Sequence, residues 1–531
     1  MIVNKQNKFK DHKMKNSKVP GRIEWILVIA SIILLSACYL YTDLPYTSSG
    51  GLRVWNCIAE GTPQLFYWSS YPGVEHSALP YGSEGGSYDF LIYLIFAIYN
   101  FPLWIWEKIT GYSFIMFYAT RLYTKGIILI FSGISAYMIY RIARECKVEK
   151  NNAIWAPRIF LTSGIFFATE VTIGGYDIIS VAFTLIGIYG YLKDNKASFL
   201  GSFAVAIATK LFALWIFIPL LLLKEKKIWK LIAKTVIVLS AVIVPKLYFA
   251  LASKAYFASQ AERVREELGE AASDVVAATA TQAYTYMPDA VNDVVAHASV
   301  INEALFPSDY TASYTFLSVA NFPLIFAVMF SVWIFCFLRK KQTGNREVIY
   351  LCALIMGTFM ATAKIHPYWG ILLVPYLSLI LVFRPEKIRE NLFLETLMSV
   401  GFVMNKAILY YWCFGMSQIE RMVNPNYQFS YDPETTNIGK YGIERIFYKL
   451  SQKIEIDEVN MAHMFSVLFV VAFVAFLYCN RPEKNEESSI ELGDTENFRL
   501  RMMWRFAFSL FVGILPMIGL LMYVSPFYWG D

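Results

Sequence analysis

The sequence predicts an all-α, polytopic membrane protein with about thirteen membrane-crossing helices, and three observations carry that expectation. Of 531 residues, 56% are hydrophobic and only 17% are charged, whereas a soluble domain carries roughly 25% charged residues. Continuous apolar runs of about 18–25 residues, the length that crosses hydrocarbon as helix, recur along the chain; a transmembrane β-barrel would show short alternating segments instead. Aromatic residues make up 17% of the chain, many at the ends of those runs, where amphipathic rings sit at headgroup level.

Other compositional signals exclude more than they assert. The net charge of +6 is too modest to indicate nucleic acid, and no such partner is expected. The seven cysteines (Cys38, Cys57, Cys146, Cys336, Cys352, Cys413 and Cys479) are scattered, mostly inside apolar runs, with no CxxC or Cys/His ligand spacing. That pattern argues against a zinc site or a disulfide framework.

Each element follows from apolar runs and flanking charge, read by the positive-inside rule. Residues 1–22 form a basic tail with seven Lys or Arg and one acid, Asp11. The run 23–41 follows, too long and without the small-residue cleavage site of a signal peptide, so it reads as an uncleaved first helix with a cytoplasmic N-terminus. The chain is then outside over 42–116, which carries Asp43, Glu60, Glu75, Glu84 and Asp89 against a single early Arg53. Helix 117–140 returns to Arg141, Arg144, Lys147 and Lys150. Helix 153–171 exits, and 178–192 comes back to Lys193 and Lys196. The short runs 197–209 and 211–223 read as a hairpin with Lys210 at its outward tip, because both flanks are basic. Helix 228–250 exits, 316–338 re-enters, 347–363 exits and 369–383 returns. Helix 392–414 exits, 461–479 returns and 502–524 leaves the C-terminus outside. The run 90–106 must be left out or every later loop inverts. Its aromatic content and Asn100-Phe101-Pro102 interruption assign it to the outer interface.

Four regions result: the tail 1–22, an N-terminal membrane module over 23–250 including outer loop 42–116, an outer loop 251–315 and C-terminal helices over 316–531 with outer loop 415–460. The Ala- and Glu-rich stretch 255–283, with Glu262, Arg263, Arg265, Glu266 and Glu267, predicts a surface helix. Inner loops are short and basic, so function is expected on the outer face.

The candidate site residues lie at outer helix ends. Asp43 follows the first helix in Tyr41-Thr42-Asp43-Leu44-Pro45; an acid there is more often merely solvated. Asp177 closes Ile173-Gly174-Gly175-Tyr176-Asp177, where a capping carboxylate at a helix start stands at close to even odds with a functional one. Lys210 stands among Ala, Ile, Leu, Phe and Trp, and an ammonium at membrane depth needs an anionic partner. Arg121 has similar character, though snorkelling accounts for it. Lys364 and His366 lie in Ala363-Lys364-Ile365-His366-Pro367, beside an aromatic belt. Carboxylates act as general bases or hold a divalent cation, and cations neutralise a phosphate leaving group. Asp43 and Asp177 are the pair that would hold such a cation, although no carboxylate pair stands at ligand spacing.

These residues resemble the GT-C superfamily of polyprenyl-phosphate-sugar-dependent glycosyltransferases, and most closely its bacterial mannosyltransferase-like and PIG-M-like branches. The resemblance is clearest over 153–227, through Gly174-Gly175-Tyr176-Asp177-Ile178-Ile179-Ser180, Gly187-Ile188-Tyr189-Gly190-Tyr191-Leu192-Lys193 and the hairpin Ala206-Ile207-Ala208-Thr209-Lys210-Leu211-Phe212-Ala213-Leu214. Asp43 in a long first outer loop and the late His366-Pro367 extend it. It implies sugar transfer on the outer face of a bacterial plasma membrane, from a polyprenyl-phosphate-linked sugar to an envelope glycan or lipid acceptor. Asp43 would be the catalytic base, Asp177 would assist, and Lys210, His366, Lys364 and Arg121 would face the donor phosphate. The first loop departs from the family in carrying Asp43-Leu44-Pro45 rather than an acidic pair. The chain also has no large outer C-terminal domain of the oligosaccharyltransferase kind, which argues against a peptide acceptor.

Two other classes compete. An O-antigen polymerase or ligase would lean on loop arginines, whereas these loops are mainly acidic; a membrane O-acyltransferase belongs to the same alternative of envelope enzymes. A transporter would place ionisable groups near mid-membrane and show internal repeats, and no convincing repeat relates the two halves.

Overall fold

The computed structural model describes residues 19–40, 43–67, 88–268, 318–319, 322–340, 343–363, 365–410, 413–414, 443–482, 491–495 and 497–524. Glu75, Glu84, Lys364, residues 269–283 of the expected surface helix 255–283 and residues 415–442 of loop 415–460 lie outside them.

The described chain is helical almost throughout, because the apolar runs can satisfy their backbone groups internally only as helix. The helices are α1 (Arg22–Cys38), α2 (Asp43–Ala59), α3 (Phe90–Thr110), α4 (Tyr118–Glu145) and α5 (Trp155–Leu161). A segment Gly164–Phe166 then passes into a π-helical turn, Phe167–Ile173. There follow α6 (Asp177–Leu192), α7 (Lys196–Thr209), α8 (Leu214–Lys224) and α9 (Ile228–Leu268). The C-terminal half contributes α10 (Leu324–Leu338), α11 (Asn345–Thr362), α12 (Val374–Phe383), α13 (Ile388–Leu409), α14 (Ile443–Ile454), α15 (Glu458–Cys479) and α16 (Phe498–Val524). A two-residue antiparallel pair, Ser318–Val319 with Phe322–Pro323, precedes α10.

Six helices among the described residues are long and apolar enough to cross a membrane, and six shorter apolar helical segments accompany them. This is the fold of a helical membrane protein, but the expected runs do not map one to one onto full spans. The run 153–171 breaks at Thr162 and Ser163, and 369–383 begins as a 3-10 turn over Pro367–Leu372 before α12. Both breaks fall where hydroxyl or proline residues let the backbone leave the regular ladder. The helix α3 runs through Asn100-Phe101-Pro102 without the expected interruption and is one of the six long apolar helices. It ends at Gly111, whose left-handed φ of 71° closes the last turn through its N–H to the Glu107 carbonyl. The helix α9 joins the expected span 228–250 to the start of the expected surface helix, since its Ala- and Glu-rich continuation offers nothing to break a helix.

Packing divides the helices into lipid-facing and interior sets. The helix α9 exposes Ile232, Val236, Ile237, Val244, Leu247 and Leu251, the surface a bilayer would cover. The segment Gly164–Ile173 and α12 are buried along their whole length, so the irregular backbone lies inside protein, where irregular backbone at membrane depth is tolerated.

One polar staple crosses this interior. Arg505 on α16 grips Glu395 on α13 in a two-pronged pair, Nε to Oε2 at 2.7 Å and Nη2 to Oε1 at 2.8 Å. Its third arm donates to Thr162 at 2.7 Å, and Ser163 donates to Glu395 at 2.8 Å. Arg505 and Glu395 are almost wholly buried, so the network ties the break at 162–163 to two long helices. Arg505→Met should cost about 3–5 kcal/mol by orphaning the carboxylate, while Glu395→Met with Arg505→Met should recover most of that loss. Thermal unfolding of the purified variants in one detergent checks both.

Candidate active site

The site is assembled from five separated stretches of chain: the start of α2, the entry to α3, the turn before α6, the break after α7 and the 3-10 turn at Pro367–Leu372. Its centre is Lys210. The helix α7 ends at Thr209, and the Lys210 N–H closes the last turn on the Ala206 carbonyl at 2.9 Å. The chain then turns through a short 3-10 segment into α8. That break presents the lysine side chain sideways into the bundle.

Its ammonium lies 3.1 Å from the Asp177 carboxylate and 3.1 Å from the Tyr176 hydroxyl. Asp177 has 1% of its side chain exposed and Lys210 16%, so a charge pair at this depth is held with little screening by water. Tyr88, Tyr176 and Tyr368 surround the ammonium, with ring centroids 4.5–5.6 Å away, close enough for cation–π attraction. The helix α6 begins at Asp177 itself, and no side chain caps it. The capping role open to Asp177 on sequence grounds is therefore not the one it takes; its carboxylate meets Lys210 instead.

Tyr88 links this centre to Asp43 by donating its hydroxyl hydrogen to Oδ1 at 2.8 Å. The tyrosine is itself held, since Tyr67 donates to its carbonyl at 2.9 Å and the neighbouring Asp89 pairs with Lys246 of α9 at 3.0 Å. Asp43 opens α2, where its own carbonyl accepts from the Thr47 hydroxyl at 2.7 Å. The residue keeps some exposed surface, yet crowding by protein raises its carboxyl above the ordinary aspartate range. The Lys210 charge and the Tyr88 hydrogen bond pull the other way and offset only part of that rise.

Two glycines allow the close approach. Gly175 passes so near Tyr368 that a Cβ there would stand 2.6 Å from the tyrosine's own Cβ. Gly174 has φ of 77°, in the left-handed region glycine tolerates, and a Cβ there would meet Lys125 Cε at 2.8 Å.

His366 stacks on Tyr368, with rings 5.3 Å apart and 8° from parallel, and its ring also meets Trp369 and Tyr410. It is exposed, on the rim of the aromatic group. Four sequence-derived candidates, Asp43, Asp177, Lys210 and His366, therefore connect through Tyr88, Tyr176 and Tyr368. Arg121 is engaged elsewhere, donating to the Ile115 carbonyl, and Lys364 lies outside the described residues.

Sequence reasoning passed over the tyrosines, which nothing distinguishes among 35 in the chain, and two buried ionisable residues behind the site. Lys125 donates to the Tyr39 carbonyl at 3.0 Å and the Val171 carbonyl at 2.7 Å. Glu170, on the π-helical turn, is 1% exposed, and its carboxylate lies beside Thr169. A signal existed for both, because each is an isolated charge within an apolar run. The π turn that carries Glu170 leads directly into Gly174-Gly175-Tyr176-Asp177, and such turns are frequent at functional sites.

Lys210 is the cation paired with Asp177, and among the described residues no group of three or more His, Cys, Asp or Glu stands placed to hold a metal ion. What the arrangement offers is one crowded carboxylate held by a tyrosine, one fixed ammonium and an aromatic rim. No protein-family model, curated protein or solved structure matches the chain.

Proposed function

We propose that this protein is a membrane glycosyltransferase of the GT-C type. It moves a sugar from a polyprenyl-phosphate donor to an envelope glycan or lipid acceptor at the outer face of the membrane. The observation that supports this reading is the convergence of Asp43, Asp177, Lys210 and His366, drawn from distant parts of the sequence, around one tyrosine-lined centre.

The chemistry asks for one base and one means of neutralising phosphate. Asp43 accepts the proton of the acceptor hydroxyl as that oxygen bonds to the anomeric carbon. The bond from that carbon to the phosphate oxygen breaks, and its electron pair leaves with the polyprenyl phosphate. Tyr88 holds the Asp43 carboxylate in place. Lys210 supplies positive charge to the departing phosphate while Asp177 orients the ammonium. His366 stacked on Tyr368, with Trp369 set edge-on to both, gives aromatic surfaces against which a sugar ring can rest.

Purified protein given a polyprenyl-phosphate sugar and envelope glycan should release polyprenyl phosphate. Asp43→Asn should reduce that release by about 100-fold or more with the thermal transition retained; full activity in this variant removes the base assignment. Lys210→Met should lower kcat more than it raises KM if the ammonium acts mainly on developing charge.

The pH profile follows from the raised Asp43 carboxyl. The base works only when deprotonated, so activity should rise with pH through a midpoint above the ordinary aspartate value of about 3.9. Tyr88→Phe removes the hydrogen bond that opposes the rise and should move this midpoint further up. A midpoint unchanged in Tyr88→Phe would separate Asp43 from the rate-limiting proton transfer.

A further inference from the structure

A groove of about 550 Å³ lies well apart from the site, between α8, α10 and α11. Its walls are apolar, formed by Leu223, Val328, Val332, Phe335, Leu351 and Leu354. Polar groups gather at one end, where Arg339, Thr343, Glu347 and Pro482 close it. Along α10 the lining runs from Ala327 to Arg339, about 18 Å at roughly 1.5 Å per residue. One leaflet of the hydrocarbon core is about 15 Å deep, half of the ~30 Å total. The groove thus has the depth of a single acyl chain.

Its polar end is built from side chains that tie the three helices together. Arg339 pairs with Glu347 through both terminal nitrogens, Nη2 at 2.8 Å, which fixes α10 against α11 and cancels that acid. Lys226 donates to the Leu222 carbonyl and, at 2.6 Å, to the Cys336 carbonyl, holding α8 to α10 on the other side. Arg346 is committed to the Cys146 and Phe383 carbonyls. Lys340, next to Arg339, and Arg481, next to Pro482, are exposed. Glu347 is answered by Arg339, so among the described residues Lys340 and Arg481 are exposed cations adjoining in sequence two residues that close this end, at the helix ends that charge distribution assigns to the cytoplasmic side.

We propose that this groove is a binding site for one acyl chain of an anionic phospholipid of the inner leaflet, with Lys340 and Arg481 facing its headgroup. The apolar walls supply affinity for any chain of that length, and the two cations select for negative charge. This inference stands independently of the sugar-transfer reading, because it concerns the opposite ends of the helices and none of the site residues.

Delipidated full-length protein is titrated with phosphatidylglycerol, phosphatidylcholine or polyprenyl phosphate, and retained lipid is counted by native mass spectrometry. Phosphatidylglycerol should be held at least about tenfold more tightly than phosphatidylcholine. Lys340→Gln with Arg481→Gln should erase that preference, at about fivefold for each charge, and leave phosphatidylcholine unchanged. Ser331→Trp, at an exposed position on the groove wall, should weaken both lipids, with a monodisperse elution profile showing that the variant folds. Equal retention of the two phospholipids, a preference that survives the double charge removal, or retention untouched by Ser331→Trp would each overturn the proposal. Displacement of phosphatidylglycerol by polyprenyl phosphate would overturn it in favour of a donor-tail channel.

Discussion

A lysine ammonium set deep among helices has few tolerable surroundings, and Lys210 shows what they are: a carboxylate at 3.1 Å, a phenol oxygen at the same distance and three aromatic faces. Removing a charge from water costs several kcal/mol unless it is answered nearby. Much of the local architecture follows from that demand. The break after α7 aims the side chain inward, the glycine pair lets the turn before α6 approach Tyr368, and α6 starts at the residue that pairs with the ammonium.

The same rule governs the second buried pair and explains how the two halves of the chain are joined. Glu395 and Arg505 satisfy each other and also fix the hydroxyls of Thr162 and Ser163. Those two residues sit at the start of the irregular segment that ends in the site. A structural ion pair in the interior and the candidate active site are therefore connected by one short stretch, Gly164–Ile173, buried throughout. Glu170 stands buried in that stretch beside Thr169, with Asp177 and Lys125 as the charged groups that act on it.

The polar organisation is also asymmetric along the helices. Carboxylates, tyrosines and one fixed ammonium gather at the ends assigned to the outside, while an apolar groove at the opposite ends is closed by Arg339 and Pro482, next in sequence to exposed Lys340 and Arg481.

Composition and hydropathy by themselves determined that the chain is helical and suited to a membrane, because water-free surroundings leave the backbone no other means of satisfying its polar groups over long apolar runs. They also made Lys210 conspicuous, since charge in an apolar context is costly, while Asp43, Asp177, Arg121, Lys364 and His366 stood out by their places at outer helix ends. Tertiary structure alone decided that Tyr88 bridges Asp43 toward Lys210, that Asp177 pairs rather than caps, and that Arg121 turns to the Ile115 carbonyl. It also decided that the runs 153–171 and 369–383 break while 90–110 does not. Those outcomes depend on which side chains from distant segments arrive to satisfy a freed backbone group or a buried charge, and hydropathy along one chain carries no record of such meetings.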